Sequence, residues 1–169
     1  DVSCATSSWS TSDVYVINAL AWSVGQGAEV TNSSFSQSSS AAMSQAYEDR
    51  AVTNGMVHMA ATGNGSATSI SYPASAAYVY GIGNVRSDGT LNSSSNTGAG
   101  VQYVAPGTGV PPTDREGGVG YSSTDYTNFN GTSAASPMAA GVAALFRSMY
   151  PFATRSQTIV AMNAGARDM

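Results

Sequence analysis

The chain has 169 residues and a net charge of −4, with 42% hydrophobic and only 9% charged residues. This length and apolar content fit one domain with a buried core. The acidic balance and the lack of a basic stripe argue against a nucleic-acid partner. No apolar run approaches the ~20 residues of a membrane span, and the single cysteine, Cys4, excludes an internal disulfide.

Hydrophobic spacing predicts helices and strands that alternate along the chain. Apolar residues recur at helical spacing after Ser12, a suitable N-cap, and Gly25 or Gly27 ends this run, whereas Gly55 marks the end of a second helix. In chain order we expect a helix from 12 to 25 or 27, a strand over 28–35, a helix over 40–54, strands over 56–61, 78–85 and 101–105, a hairpin or loop over 117–130, and helices over 138–149 and 154–163. This alternation indicates an α/β fold with a parallel sheet.

Polar segments follow the predicted strands at the places where sites form in parallel sheets. Such sites lie at the carboxyl ends of the strands. The segments 33–36 and 63–64 and the loop before Ser133 all meet this rule. We therefore expect these three segments to lie at one edge of the sheet.

The segment 130–137, NGTSAASP, precedes the apolar run of the predicted helix over 138–149. Small residues would place Ser133 on a tight turn at the positive end of a helix dipole, which suits a nucleophile that must hold negative charge. A serine before a helix also commonly caps free backbone N–H groups. Ser136, followed by Pro137, fits the capping role better. On this segment alone both interpretations of Ser133 stay open.

Asn64 follows a predicted buried strand and is flanked by Gly63 and Gly65. An asparagine between glycines is typical of a turn that needs positive φ. Its side-chain amide is also a suitable donor to an oxyanion. Taken alone, the turn interpretation of Asn64 is favoured.

Five segments, however, occur together in the order and form of a known family. They are 27–35 (GAEVTNSSF), 55–64 (GMVHMAATGN), 72–85 from YPA to VYGIGNV, 104–107 (VAPG) and 131–145 (GTSAASPMAAGVAAL). Together they resemble the subtilisin-like serine proteases, or subtilases, over residues 10–165. The resemblance implies a three-layer α/β fold with a mostly parallel sheet. It also implies that residues 1–169 are one domain, the carboxyl-side portion of a subtilase catalytic domain that is incomplete at its N-terminal side.

The resemblance assigns catalytic roles to residues that match the family's motifs. Ser133 would be the nucleophile. Asn64 would donate its side-chain amide to the tetrahedral oxyanion, and the Ser133 N–H would be the second donor. Thr132 would help to shape this oxyanion hole.

The resemblance also implies a groove that holds an extended polypeptide as an added β-strand. One wall of the S1 pocket is expected to be Ser34, Phe35 and Ser36, and this segment also pairs with the substrate backbone. The opposite wall is expected to be Ala61, Thr62 and Gly63. The stretch Trp9-Ser10-Thr11 is similar to the other strand that flanks the substrate.

The sequence departs from the subtilase pattern before the nucleophile. A subtilase triad runs Asp, His, Ser along the chain, but residues 1–169 contain neither the family's aspartate motif nor its His-Gly-Thr-His motif. The one histidine, His58, falls in a strand that we expect to be buried, so a core role is favoured over a general base. The chain begins at Asp1 rather than at methionine, as a processed or cut product would. We therefore expect an N-terminal segment or chain of the same protease to supply the aspartate and the histidine.

Three functions are compatible with these observations. The leading hypothesis is a serine endopeptidase that hydrolyses peptide bonds through an acyl-enzyme on Ser133. The alternative is a catalytically inactive subtilase-like protein that binds extended peptides, with Ser133 and Asn64 as relics. A third, a different hydrolase with an unrelated base, is weakened by the expected burial of His58.

The resemblance and the composition also lead to expectations about cofactors and localisation. The resemblance requires no cofactor and leaves structural calcium open, and no cluster of Cys, His and Asp residues has metal-ligand spacing. Scarce charge favours a secreted, extracellular protein. Asn-x-Ser/Thr sequons begin at Asn32, Asn64, Asn92 and Asn130. They favour a bacterial source, because a glycan inside the predicted site would block it.

Overall fold

The computed structural model describes residues 11–113, 126 and 128–168. Its elements in chain order are α1 (Asp13–Gly25), β1 (Val30–Ser33), α2 (Ala41–Thr53), β2 (Val57–Ala61), β3 (Val79–Val85), β4 (Val101–Pro106), α3 (Thr132–Met149) and α4 (Arg155–Gly165). The helices and strands predicted for this part of the chain are confirmed in type and order. Cys4, Trp9, Ser10 and most of the predicted hairpin over 117–130 lie outside the described residues.

The described strands form one parallel sheet in the order β1-β2-β3-β4. β2 is buried along its whole length and β3 along most of it. This burial explains their nearly continuous apolar sequences, because strands inside a parallel sheet are covered on both faces. Within the described residues, β1 and β4 are the edges of the sheet. The predicted α/β fold with a parallel sheet is confirmed.

Helices cover both faces of the sheet and produce three layers. Successive side chains of β2 point to opposite faces. Ala60 packs with Leu20 of α1 and Tyr47 of α2, whereas Val57 and Met59 pack against the alanines of α3. None of the described helices has the length and apolarity that a membrane crossing needs.

The start of α3 differs from the sequence prediction. α3 begins at Thr132 rather than at Met138, and its N-cap is Gly131 at φ 130°, a left-handed value that suits glycine. Ser136 lies inside the helix, so the interpretation of Ser136 as its cap is wrong. The N–H of Thr132 instead donates to the side chain of Asn64, which lies 68 positions earlier in the chain. Local sequence spacing cannot indicate a cap that comes from so far away.

His58 lies in the core, as its buried strand predicted. Its ring is fully buried and packs edge-on against Tyr47, with 5.0 Å between the ring centroids. Its Nδ1 lies 2.6 Å from Thr31 Oγ1, and its Nε2 makes no hydrogen bond of standard geometry with the described residues. Burial lowers the pKa of His58 to about 4, and an interaction with the Tyr47 backbone opposes this only in part. His58 is therefore a neutral core residue.

We expect acid to destabilise the wild-type protein more than a His58→Asn variant. The pKa of His58 is about 4 in the folded chain and near 6.5 in the unfolded chain, so between these values only the unfolded state gains the proton. The free energy of unfolding should therefore fall as the pH drops below about 6.5, by about 3 kcal/mol at pH ~4. Denaturant unfolding of both proteins across this range measures the effect. Parallel pH curves for the two proteins would contradict it.

Candidate active site

The three polar segments expected at the carboxyl edge of the sheet meet at the start of α3. Ser34 directly follows β1, Gly63 and Asn64 come just after β2, and Ser133 is the second residue of α3. The Ser133 hydroxyl lies 3.3 Å from the backbone oxygen of Ser34. The Gly63 N–H donates to Thr132 Oγ1 at 3.1 Å. Residues from three parts of the chain therefore meet at the first two residues of α3.

Hydrogen bonds from Thr132 decide the orientation of the Asn64 amide. The Thr132 N–H donates to Asn64 Oδ1 at 2.8 Å and the Thr132 hydroxyl at 3.0 Å. A backbone N–H can only donate, so the amide atom that faces it must be the oxygen. The other atom, Nδ2, makes no hydrogen bond to the described residues, and Asn64 is exposed. A Cβ at Gly131 would lie 3.1 Å from this Nδ2, so the glycine keeps the space beside the donor open.

The backbone N–H of Ser133 is a second free donor. The first N–H groups of a helix have no partner four residues back. Those of Ala134 and Ala135 donate to the Gly131 carbonyl at 3.0 and 3.3 Å. The Ser133 N–H donates to none of the described residues, and the helix dipole adds positive potential there. Two free donors at the start of the helix that carries Ser133 are the kind of groups that stabilise an oxyanion.

A buried asparagine, Asn96, holds the loop that carries Asn64. Its Oδ1 accepts the N–H groups of Gly65 and Ala67 at 2.8 and 3.0 Å, and its Nδ2 donates to the Thr62 carbonyl at 3.0 Å. These bonds fix the chain on both sides of Asn64. Sequence reasoning missed Asn96, because its partners lie 29 to 34 positions away and a polar residue in a serine-rich loop suggests only a turn.

The residues predicted to form the pocket walls differ in exposure. Ser34 and Phe35 are half-buried, and Phe35 packs against the core of α1 and α2. Ser36 is exposed. On the opposite side, Ala61 and Thr62 expose only 2% and 0% of their surface, and the Thr62 hydroxyl donates within the sheet. The assignment of both walls stays a prediction.

The hydrogen-bond partner of the Ser133 hydroxyl is a carbonyl, not a base. Among the described residues, no His, Asp or Glu side chain hydrogen-bonds to Ser133, and no three such groups or cysteines cluster as metal ligands would. The Nδ1 of His58 is bonded to Thr31 instead. The expected base is thus not a partner of Ser133 in the part of the chain that the structure describes.

A family model described as the subtilase family matches residues 2–167. The chain belongs to the subtilase family. Subtilisin DY of Bacillus licheniformis is 40% identical to this subtilase over 147 residues, which cover 84% of this chain and 51% of the relative. The M-protease of Shouchella clausii is 36% identical over 136 residues, which cover 80% of this chain and 34% of the relative.

Solved structures agree with this subtilase fold. The structure of a cold-adapted subtilisin-like serine proteinase is similar with a TM-score of 0.76 and 29% identity, and the match covers 89% of this chain and 54% of that one. The structure of the prenylagaramide maturation protease PagA matches with a TM-score of 0.74 and 28% identity over 85% of this chain and 52% of that one. The subtilase chain spans about half, or less, of the length of these four proteins.

Proposed function

We propose that this subtilase chain is the nucleophile-bearing part of a serine endopeptidase. The observation that carries the proposal is that Thr132, the residue before Ser133, holds the Asn64 amide by its oxygen and so leaves its Nδ2 free to donate beside the start of α3. A hydroxyl nucleophile beside preorganised donors is the arrangement that acyl transfer needs. Thr132 contributes by holding the Asn64 amide in this orientation.

In the proposed reaction, a histidine takes the proton of Ser133 Oγ, which attacks the carbonyl carbon of the peptide bond. The Asn64 amide and the Ser133 N–H donate to the oxyanion of the tetrahedral intermediate. The histidine then gives its proton to the leaving amine, the carbon–nitrogen bond breaks, and an acyl-enzyme remains on Ser133. A water molecule hydrolyses this ester and regenerates the hydroxyl.

Exposed apolar surface on α3 supports a further segment of the protease that packs against this chain and carries the histidine. Met138, Val142, Leu145 and Met149 recur at helical spacing and are 47% to 68% exposed. They line a groove between β4, α3 and α4. An apolar stripe of this kind is normally covered in a soluble protein.

The free edge of β1 is where we propose that the strand with the catalytic aspartate pairs. Among the described strands, β1 pairs only with β2, and an unpaired strand edge readily accepts another strand. A strand added parallel to β1 would end beside Ser33 and Ser34, and therefore beside Ser133. An aspartate at its carboxyl end would be close enough to orient the histidine.

The proposed substrate is an extended polypeptide that pairs with the segment from Ser34 to Ser36. Phe35 and the segment from Ala61 to Gly63 would form the walls around the P1 side chain. We propose a secreted bacterial protein, in line with its low charge and with relatives from Bacillus licheniformis and Shouchella clausii. The proposed chemistry uses no cofactor, and structural calcium would serve stability alone.

Covalent labelling tests the proposed function. The intact protein is incubated with a fluorophosphonate or a sulfonyl fluoride, and peptide mapping by mass spectrometry locates the adduct. The adduct is expected on Ser133 in folded protein and not in protein unfolded beforehand, with Ser148 of the same helix as an internal comparison. Binding of an extended peptide without an adduct on Ser133 would favour the inactive, peptide-binding alternative.

A further inference from the structure

A continuous network of hydrogen bonds joins the end of β1 to the first turns of α3. Ser136 Oγ donates to Asn32 Oδ1 at 2.6 Å, and Asn32 Nδ2 donates to Ser34 Oγ at 2.9 Å. Ser34 Oγ in turn donates to the backbone oxygen of Ser133 at 2.8 Å. We propose that Asn32, Ser34 and Ser136 form a clasp that positions the nucleophile Ser133. This inference rests on the proposed function and adds positioning residues to it.

Pro137 is the reason that the Ser133 carbonyl needs a donor from outside the helix. In an α-helix each carbonyl accepts the N–H four residues ahead. For Ser133 that residue is Pro137, which lies inside α3 and has no N–H. The Ser34 hydroxyl takes its place. The clasp therefore holds the Ser133 backbone through a bond that the helix cannot make.

The clasp has one consistent direction of donation. Ser34 Oγ carries a single proton and the Ser133 carbonyl can only accept, so this proton points to Ser133. The Asn32 atom that faces Ser34 must then be the donor Nδ2, which leaves Oδ1 to accept from Ser136. Without the Asn32 amide, the Ser34 hydroxyl would be free to rotate away from Ser133.

A second bond between the same two residues runs in the opposite direction. Ser133 Oγ donates to the Ser34 carbonyl at 3.3 Å, which is long for a hydroxyl donor. A base that takes the Ser133 proton removes this weak bond. The bond from Ser34 Oγ to the Ser133 carbonyl is unaffected. The clasp can therefore hold the residue in place while its hydroxyl turns to attack.

Kinetics of Ser34→Ala and Asn32→Ala in the active protease, normalised by active-site titration, test the clasp. We expect kcat per titrated serine to fall about tenfold in each, as one lost hydrogen bond near the reacting group would cause. KM should change less than about twofold, because the backbone that pairs with substrate is kept. The double variant should be no slower than Ser34→Ala, since Asn32 acts through Ser34. Ser34→Thr keeps the hydroxyl and should retain most of the wild-type kcat.

Two further variants keep this test decisive. Ser39→Ala, at an exposed serine in the loop after β1, is the matched control and should leave kcat unchanged. Asn32→Asp keeps the size of the side chain and the acceptor for Ser136 but loses the donor to Ser34. Its kcat should fall even if the alanine variants fold poorly.

The outcomes separate the clasp from the proposed function. An active wild-type protease with unchanged kcat in Ser34→Ala and Asn32→Asp would overturn the clasp alone. Losses that add in the double variant would also overturn it, because they would show that Asn32 does not act through Ser34. A wild-type protein that neither cleaves peptides nor labels at Ser133 would overturn the proposed function, and the clasp with it.

Discussion

Replacing Ser133 with alanine should lower kcat for peptide hydrolysis by about 10⁶, the loss known for the triad serine of a subtilisin, which is the dissected example in this family. The variant loses the hydroxyl that we propose as the nucleophile. Both oxyanion donors remain, because the bonds from Thr132 to Asn64 use no atom of the Ser133 side chain. A residual rate of roughly 10³–10⁴ over water should therefore persist. Steady-state hydrolysis of a chromogenic peptide measures both values.

The matched control for this prediction is Ser148→Ala. Ser148 is an exposed serine of the same helix, and its hydroxyl donates to the Leu145 carbonyl at 2.8 Å. It should leave kcat and KM unchanged and should still label at Ser133. A Ser133→Ala enzyme that keeps more than about a tenth of wild-type activity would show that another group is the nucleophile.

The second large effect is expected from Asn64→Asp, which should lower kcat by about 10²–10³. A subtilisin that lacks its oxyanion-hole asparagine loses kcat by a factor in this range. Aspartate keeps an oxygen for the two bonds from Thr132, so the cap of α3 survives. It replaces the free Nδ2 donor with a negatively charged oxygen. This oxygen cannot donate a hydrogen bond to the oxyanion and repels its charge. KM should change little, because the donor acts mainly in the transition state.

Two comparisons separate the donor from the cap at this position. Asn64→Ala removes both, so its kcat should fall similarly while its melting temperature falls below that of Asn64→Asp, since a lost cap costs about 1 kcal/mol. Asn54→Ala, at the exposed end of α2, is the control that should match wild type. An Asn64→Asp enzyme with wild-type kcat would mean that the amide donates to nothing in the reaction.

The elements that could be predicted from sequence are those set by local pattern. β2 and β3 have nearly continuous apolar sequences because both faces are covered, and α1 has apolar residues at helical spacing. The sequence pattern places the start of α3 too late, because the first turns of this helix consist of small and polar residues. Its N-terminal N–H is satisfied by Asn64, from another loop, rather than by a neighbouring side chain.

The candidate site was predictable only in part, for a similar reason. Ser133 and Asn64 stand in contiguous motifs, so the sequence could name them. Asn96 and Asn32 could not be singled out, because each is polar and stands in a serine-rich stretch like many others in this chain. Their importance comes from the partners that they meet in space.

The sequence by itself determined the family, the order of helices and strands and the burial of His58, because contiguous motifs and hydrophobic periodicity are properties of neighbouring residues. Only the tertiary structure decided which way the Asn64 amide points, what caps α3 and what replaces the donor that Pro137 lacks. Each of these depends on a hydrogen bond between residues that lie 68 or 99 positions apart in the chain. Such pairs meet only after the sheet has formed and its strands end at one edge.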